Sequence, residues 1–141
     1  MRRSARLAVL LILAACVPDA TVSAQLSQTV QESTANRNLR LSDATDFEWD
    51  QFLVFGPYTT RELADEALGF SWPDFDRFNL SMLDSFSLLV FVRDQEVVRV
   101  EKHPRCSPDF SPESLARGFS PDQAIFRIER TYDCAIARPA A

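Results

Sequence analysis

Phe86-Ser87-Leu88-Leu89-Val90-Phe91-Val92 is the stretch that most limits what this chain can become. It is apolar except for Ser87 and rich in aromatic and β-branched side chains. A strand wet on one side alternates apolar and polar residues, whereas a continuous short run fits a strand with both faces covered. Asp94-Gln95 then turns the chain, and Val97 to Glu101 returns beside the first strand as a hairpin. The remaining elements must be arranged around that hairpin.

Upstream, Phe47, Trp49, Leu53 and Phe55 read as the buried positions of another strand, with Glu48 and Asp50 on the opposite side. Gly56-Pro57 ends it. Thr59 with Glu62 fits a capping box at the start of a helix, and Leu63, Ala64, Ala67 and Leu68 form its apolar stripe. Gly69 sits where a left-handed helix cap belongs. The strand residues are expected to meet Leu63, Ala67 and Leu68 across one sheet face. Phe70 to Asp84 is mostly irregular, with a helical turn starting at Ser71 or Pro73 that turns Phe75, Phe78 and Met82 inward. A second short helical turn fits Pro112 to Arg117. Ala124, Phe126 and Ile128 alternate with Arg127 and Glu129 in a last strand ending near Tyr132. The order β-α-β-β-β implies an α+β single domain over residues 45–135: an antiparallel sheet of about four strands with a short helix packed on one face, followed by a disordered tail at 136–141.

The first residues carry a different kind of information. Arg2, Arg3 and Arg6 precede an apolar run from Leu7 to Val17. Crossing a bilayer core takes roughly 20 apolar residues, so this shorter run behind positive charge reads as a signal segment. Leu13-Ala14-Ala15-Cys16 matches a lipobox, which gives a signal over 1–15 and a diacylated, palmitate-bearing Cys16 as the mature N-terminus. The alternative is cleavage after Val22-Ser23-Ala24, with a signal over 1–24. Residues 16–44, rich in Ser, Thr, Gln, Asn and Ala and free of aromatics, read as a flexible polar tether. The expected location is the bacterial cell envelope, as an outer-membrane-type lipoprotein facing the periplasm; the alternative is a soluble periplasmic or secreted protein. Export suits the cysteines. With Cys16 removed or acylated, Cys106 and Cys134 remain as an even pair in an oxidising compartment, and joining them stabilises the fold by about 3 kcal/mol in the chain-entropy model.

Trp49-Asp50, Phe55-x-Pro57-Tyr58, Leu68-Gly69, Trp72, Leu89-Val90-Phe91-Val92 and Pro121-x-x-Ala124-x-Phe126 together resemble a pattern in small extracytoplasmic bacterial proteins, often lipoproteins, of unassigned function. The resemblance covers roughly residues 47–130. Its residues are core aromatics, a turn proline and a capping glycine, so it implies a fold and a compartment and no catalytic residue.

Nothing in the sequence forms a recognisable catalytic motif. The three glycines are isolated, which excludes a phosphate-binding loop, and G-x-S-x-G, C-x-x-C and H-E-x-x-H do not occur. The single histidine, His103, reads as an exposed loop residue beside Cys106. Asp46, Glu48 and Asp50 recur at period two and read as one solvated strand face. Charge is unevenly spread. From Asp43 to Asp84 ten acids face Arg61 and Arg77, a net of −8, whereas from Ser85 onward eight acids balance eight bases. Such a field steers cationic partners and repels nucleic acid and anionic lipid. The sequence therefore points to a non-enzymatic envelope binding or accessory module without cofactor or metal. The partner is unknown; the charge offers a cationic protein as one candidate, met through Asp46, Glu48 and Asp50, and membrane contact is through a lipid anchor only. The alternatives are a proteinaceous inhibitor of a cationic hydrolase such as lysozyme, and a small carboxylate-dependent hydrolase.

Overall fold

The Phe86–Val92 run lies at the centre of a three-stranded antiparallel sheet and is covered on both sides. The computed structural model describes residues 21–32, 38–114 and 117–140. In it β2 (Gln51–Phe55), β3 (Phe86–Arg93) and β4 (Glu96–Pro104) pair in the order β2-β3-β4. The hairpin turns through Asp94 and Gln95, with φ of 50° and 62°. That pair of left-handed residues makes a turn whose twist matches the strands. A second antiparallel sheet, in the order β1-β5-β6, is built from β1 (Asn38–Arg40), β5 (Ile125–Arg130) and β6 (Ala135–Pro139). The α+β single domain is thus correct at that level, but the single sheet of about four strands is replaced by two sheets of three.

Each face of the β2-β3-β4 sheet has its own core. On one side Leu53, Phe55, Leu88, Val90 and Val92 pack against Ala64 and Leu68 of α2 (Arg61–Leu68), together with Trp72, Phe75 and Leu80 from two short 3-10 turns. On the other side Phe52, Val54, Leu89 and Phe91 meet Leu39, Phe126, Ile128 and Ala137 of the second sheet. The layers are therefore sheet, sheet, helix. The free edge of β2 is covered as well. Phe52 and Phe119 exchange backbone hydrogen bonds at 2.8 and 2.9 Å, and the Gly56 N–H donates to the Ser114 hydroxyl at 2.7 Å. A Cβ on Gly56 would stand 3.0 Å from the Ser114 side chain, so a larger residue there would push Ser114 by a few tenths of an ångström.

Local expectations around α2 hold with two adjustments. The cap is Thr60, whose hydroxyl accepts from the Leu63 N–H at 3.4 Å; Thr59 is buried and its hydroxyl donates to the Gly56 carbonyl instead. Gly69 takes φ of 78° as the helix cap. Leu63 is exposed, so the buried stripe is Ala64 and Leu68 with Ala67 at its margin. In the following segment Phe75 is buried and Phe78 partly so, but Met82 is exposed.

Three expectations need correction. Phe47 and Trp49 do not share a face with Leu53 and Phe55: bends between Asp46 and Asp50 shift the alternation by one residue, and Phe47 and Trp49 join the inter-sheet core with Phe52. The stretch read as a tether includes an ordered helix, α1 (Val22–Glu32), and then β1 and a 3-10 turn, with Val22, Leu26, Leu39 and Leu41 buried. The expected tail at 136–141 supplies most of β6, where Ala137 is fully buried. Cys16 and the lipobox lie outside the described residues. Among the described residues, no helix is long and apolar enough to cross a membrane.

Candidate functional site

The acids singled out by the sequence come to the surface because their neighbours are anchored. Phe47 and Trp49 pack edge-on against Phe91, with ring centroids 5.1 and 5.4 Å away. The Trp49 indole N–H donates to the Thr45 hydroxyl at 3.0 Å, and the Arg99 guanidinium lies over the Phe47 ring at 4.6 Å. With the aromatics held inward, Asp46, Glu48 and Asp50 are all exposed. Glu48 pairs with Arg93, and the Asp50 carboxylate accepts the Asp94 N–H at 2.9 Å, which ties this ledge to the hairpin turn. Beside the acids is an open cleft of about 440 Å³, lined by Phe47, Glu48, Trp49, Asp50, Arg93 and Pro121 among others. The acids from the α2 side are also outward: Glu62, Glu66, Asp74, Asp76 and Asp84 are exposed, and Arg61 pairs with Asp76 at 2.8 Å. This arrangement can attract and orient a cationic surface.

A second cluster, which no sequence motif marks, is buried between β4 and α1. The Glu101 side chain on β4 reaches the first turn of α1, where its two oxygens accept the Val22 and Ser23 N–H groups at 3.1 and 2.6 Å. Ser23 Oγ lies 2.8 Å from His103 Nδ1, and His103 Nε2 lies 2.9 Å from the Pro108 carbonyl. A carbonyl can only accept, so Nε2 carries the proton and Nδ1 accepts from the Ser23 hydroxyl. Far from being an exposed loop residue, His103 is 1% exposed on β4. Burial is the largest influence on it and lowers its pKa, against the opposing pull of the Pro108 carbonyl and the Glu101 and Asp109 carboxylates. A hydroxyl on an imidazole resembles a nucleophile–base pair, yet Ser23 is also buried and both ring nitrogens are engaged. Its geometry is that of a latch between α1 and β4. The signals were present in the sequence: Thr21 accepts the Ala24 N–H as a helix cap, Val22 and Leu26 share a helical face, and Glu101 and His103 share one face of β4.

Cys106 and Cys134 form a disulfide with a Cα separation of 4.7 Å. For neighbouring strands of one sheet the two cysteines would fall at opposite ends. They meet because β4 and β5 belong to different sheets and the segment after β4 runs beside β6, with Asp109 N–H donating to Ala135 O at 2.7 Å and Ala137 N–H to Asp109 O at 2.9 Å. Burial opposes ionisation of Asp109, but the Ser111 N–H and the Arg105 guanidinium hold its carboxyl below the usual range. Asp109 and the two sulfurs come within 4.8 Å of one another, but both sulfurs are spent in the disulfide and offer no thiolate.

The chain has no match among protein-family models, curated proteins or solved structures.

Proposed function

We propose that this chain is a non-enzymatic binding or accessory module of the bacterial cell envelope, exported and held by a lipid on Cys16, that engages a cationic protein through its acidic surface. The observation that carries this reading is the exposure of Asp46, Glu48 and Asp50, of which Glu48 and Asp50 line the cleft beside Arg93, continuous in sequence with the outward acids of the α2 segment. Exposed like charges gathered in one region act mainly on association rate and partner choice. The same exposure weighs against a carboxylate-dependent hydrolase. Inhibition of a cationic hydrolase such as a lysozyme is a narrower form of this reading, since it would use the same ledge.

The test is association of the purified protein with a basic muramidase at low and high salt, alongside an assay of the muramidase's activity. The expected result is binding that weakens with salt and slows when Asp46→Asn, Glu48→Gln and Asp50→Asn are combined. Stability should move by less than about 1 kcal/mol, because exposed pairs contribute little. Loss of muramidase activity on binding selects the inhibitor form. Binding indifferent to both salt and the triple substitution would defeat the acidic-surface reading.

A further inference from the structure

We infer that the mature protein keeps Thr21 to Ala24, so that the bond after Ala24 is not where its signal segment is removed. The inference rests on the export reading above and decides between its two processing sites. Val22 is 3% exposed and belongs to the inter-sheet core. Its N–H and that of Ser23 occupy both oxygens of Glu101, and the Ser23 hydroxyl occupies Nδ1 of His103. Cleavage after Ala24 would delete all of these groups at once. It would leave Glu101, 8% exposed, and His103, 1% exposed, facing an empty place in the core.

The new terminus could not stand in for what was lost. At a rise of about 1.5 Å per residue, an ammonium on Gln25 would lie about 4.5 Å along the helix axis from the Val22 nitrogen. It would bring charge toward the position where an apolar side chain is now packed. Glu101 would keep only the Arg99 guanidinium, 3.8 Å away, and His103 Nδ1 would lose its donor; a buried acceptor left without a donor costs more than the bond itself contributed. The fit of Val22 and Ser23 to Glu101 and His103 is therefore a property of a chain that retains them. Processing at Cys16 meets that requirement. It also changes the picture of a long tether: six residue steps separate Cys16 from Val22, at most about 22 Å when fully extended. A domain anchored through Cys16 would sit against the lipid surface, with the α1 end of β4 nearest to it.

The full chain, exported from a bacterial host with its own N-terminus, should be recovered from membrane and soluble fractions and its N-terminus read by intact mass and sequencing. The expected species begins at Cys16 and carries acyl mass. A major species beginning at Gln25 would overturn the inference. An unacylated species beginning anywhere from Met1 to Thr21 would uphold the retention of Val22 and Ser23 while defeating the lipid anchor, so the two ideas fail separately.

Discussion

The two faces of the β2-β3-β4 sheet are covered by opposite means. One is closed by residues 60–82, which lie between β2 and β3 in the chain, so its contacts are local. The other is closed by α1, β1, β5 and β6, drawn from both ends of the chain. The first core costs little loop-closure entropy to assemble; the second needs distant segments to meet and is reinforced by the disulfide and the Glu101–His103 latch. A small domain can thus bury both faces of one sheet, provided its termini are recruited into the fold.

The largest expected effect tests whether the two cores are equally real. Phe52 and Phe55 are both fully buried on β2 but face opposite ways. Phe52 packs among the rings of Trp49, Phe91, Phe110, Phe119 and Phe126, whereas Phe55 meets Trp72 and Phe75. Phe52→Ala and Phe55→Ala should each cost about 3–5 kcal/mol in denaturant unfolding. A cost near zero for Phe52→Ala alone would show that the second sheet is not docked in solution.

Reduction of Cys106–Cys134 comes next, at up to about 3 kcal/mol in the chain-entropy model. Its effect should be lopsided. Thermal unfolding with reductant should show a lower midpoint, and amide exchange should rise in β5, β6 and residues 106–110 before it rises in α2. Uniform loss of protection would mean that the two cores do not differ in how they are held.

A smaller effect follows from His103. Its pKa is lowered on folding from the ordinary 6.5, so between the folded value and 6.5 the unfolded chain binds more protons. Stability therefore rises with pH across that window: the contribution is fully present above about 6.5 and is lost as pH falls through the folded value. Thermal midpoints measured on either side of pH 6.5 should show this slope, and His103→Gln should remove the part of it that His103 supplies.

The same comparison explains what was legible in the sequence. The α2 core is local, and its signals sit within one window: a strand, a turn at Gly56-Pro57, a short helix and Gly69. The hairpin at Asp94-Gln95 and the disulfide pairing were legible for similar reasons of turn chemistry and cysteine arithmetic. The far core was not. β1 and β6 are short, and their buried positions, Leu39, Ala135 and Ala137, are too few or too small to give a period. A period-two count puts Phe47 and Trp49 in the wrong core because a bend, invisible to it, shifts the phase before Phe52. His103 looked like a loop residue because β4 runs to Pro104, three residues beyond the expected end of the strand. The acidic residues were placed correctly at the surface, but by anchored aromatics and not by the strand pattern that suggested it.

The central claim is that the segment before Gln25 is part of the second core. Thermal unfolding of two purified chains, one beginning at Thr21 and the other at Gln25, tests it most directly. Loss of the buried Val22 side chain and of the donors to Glu101 and His103 predicts that the shorter chain is less stable by about 3 kcal/mol or more, with a clearly lower midpoint. Equal midpoints for the two chains would contradict the claim, and with it the latch.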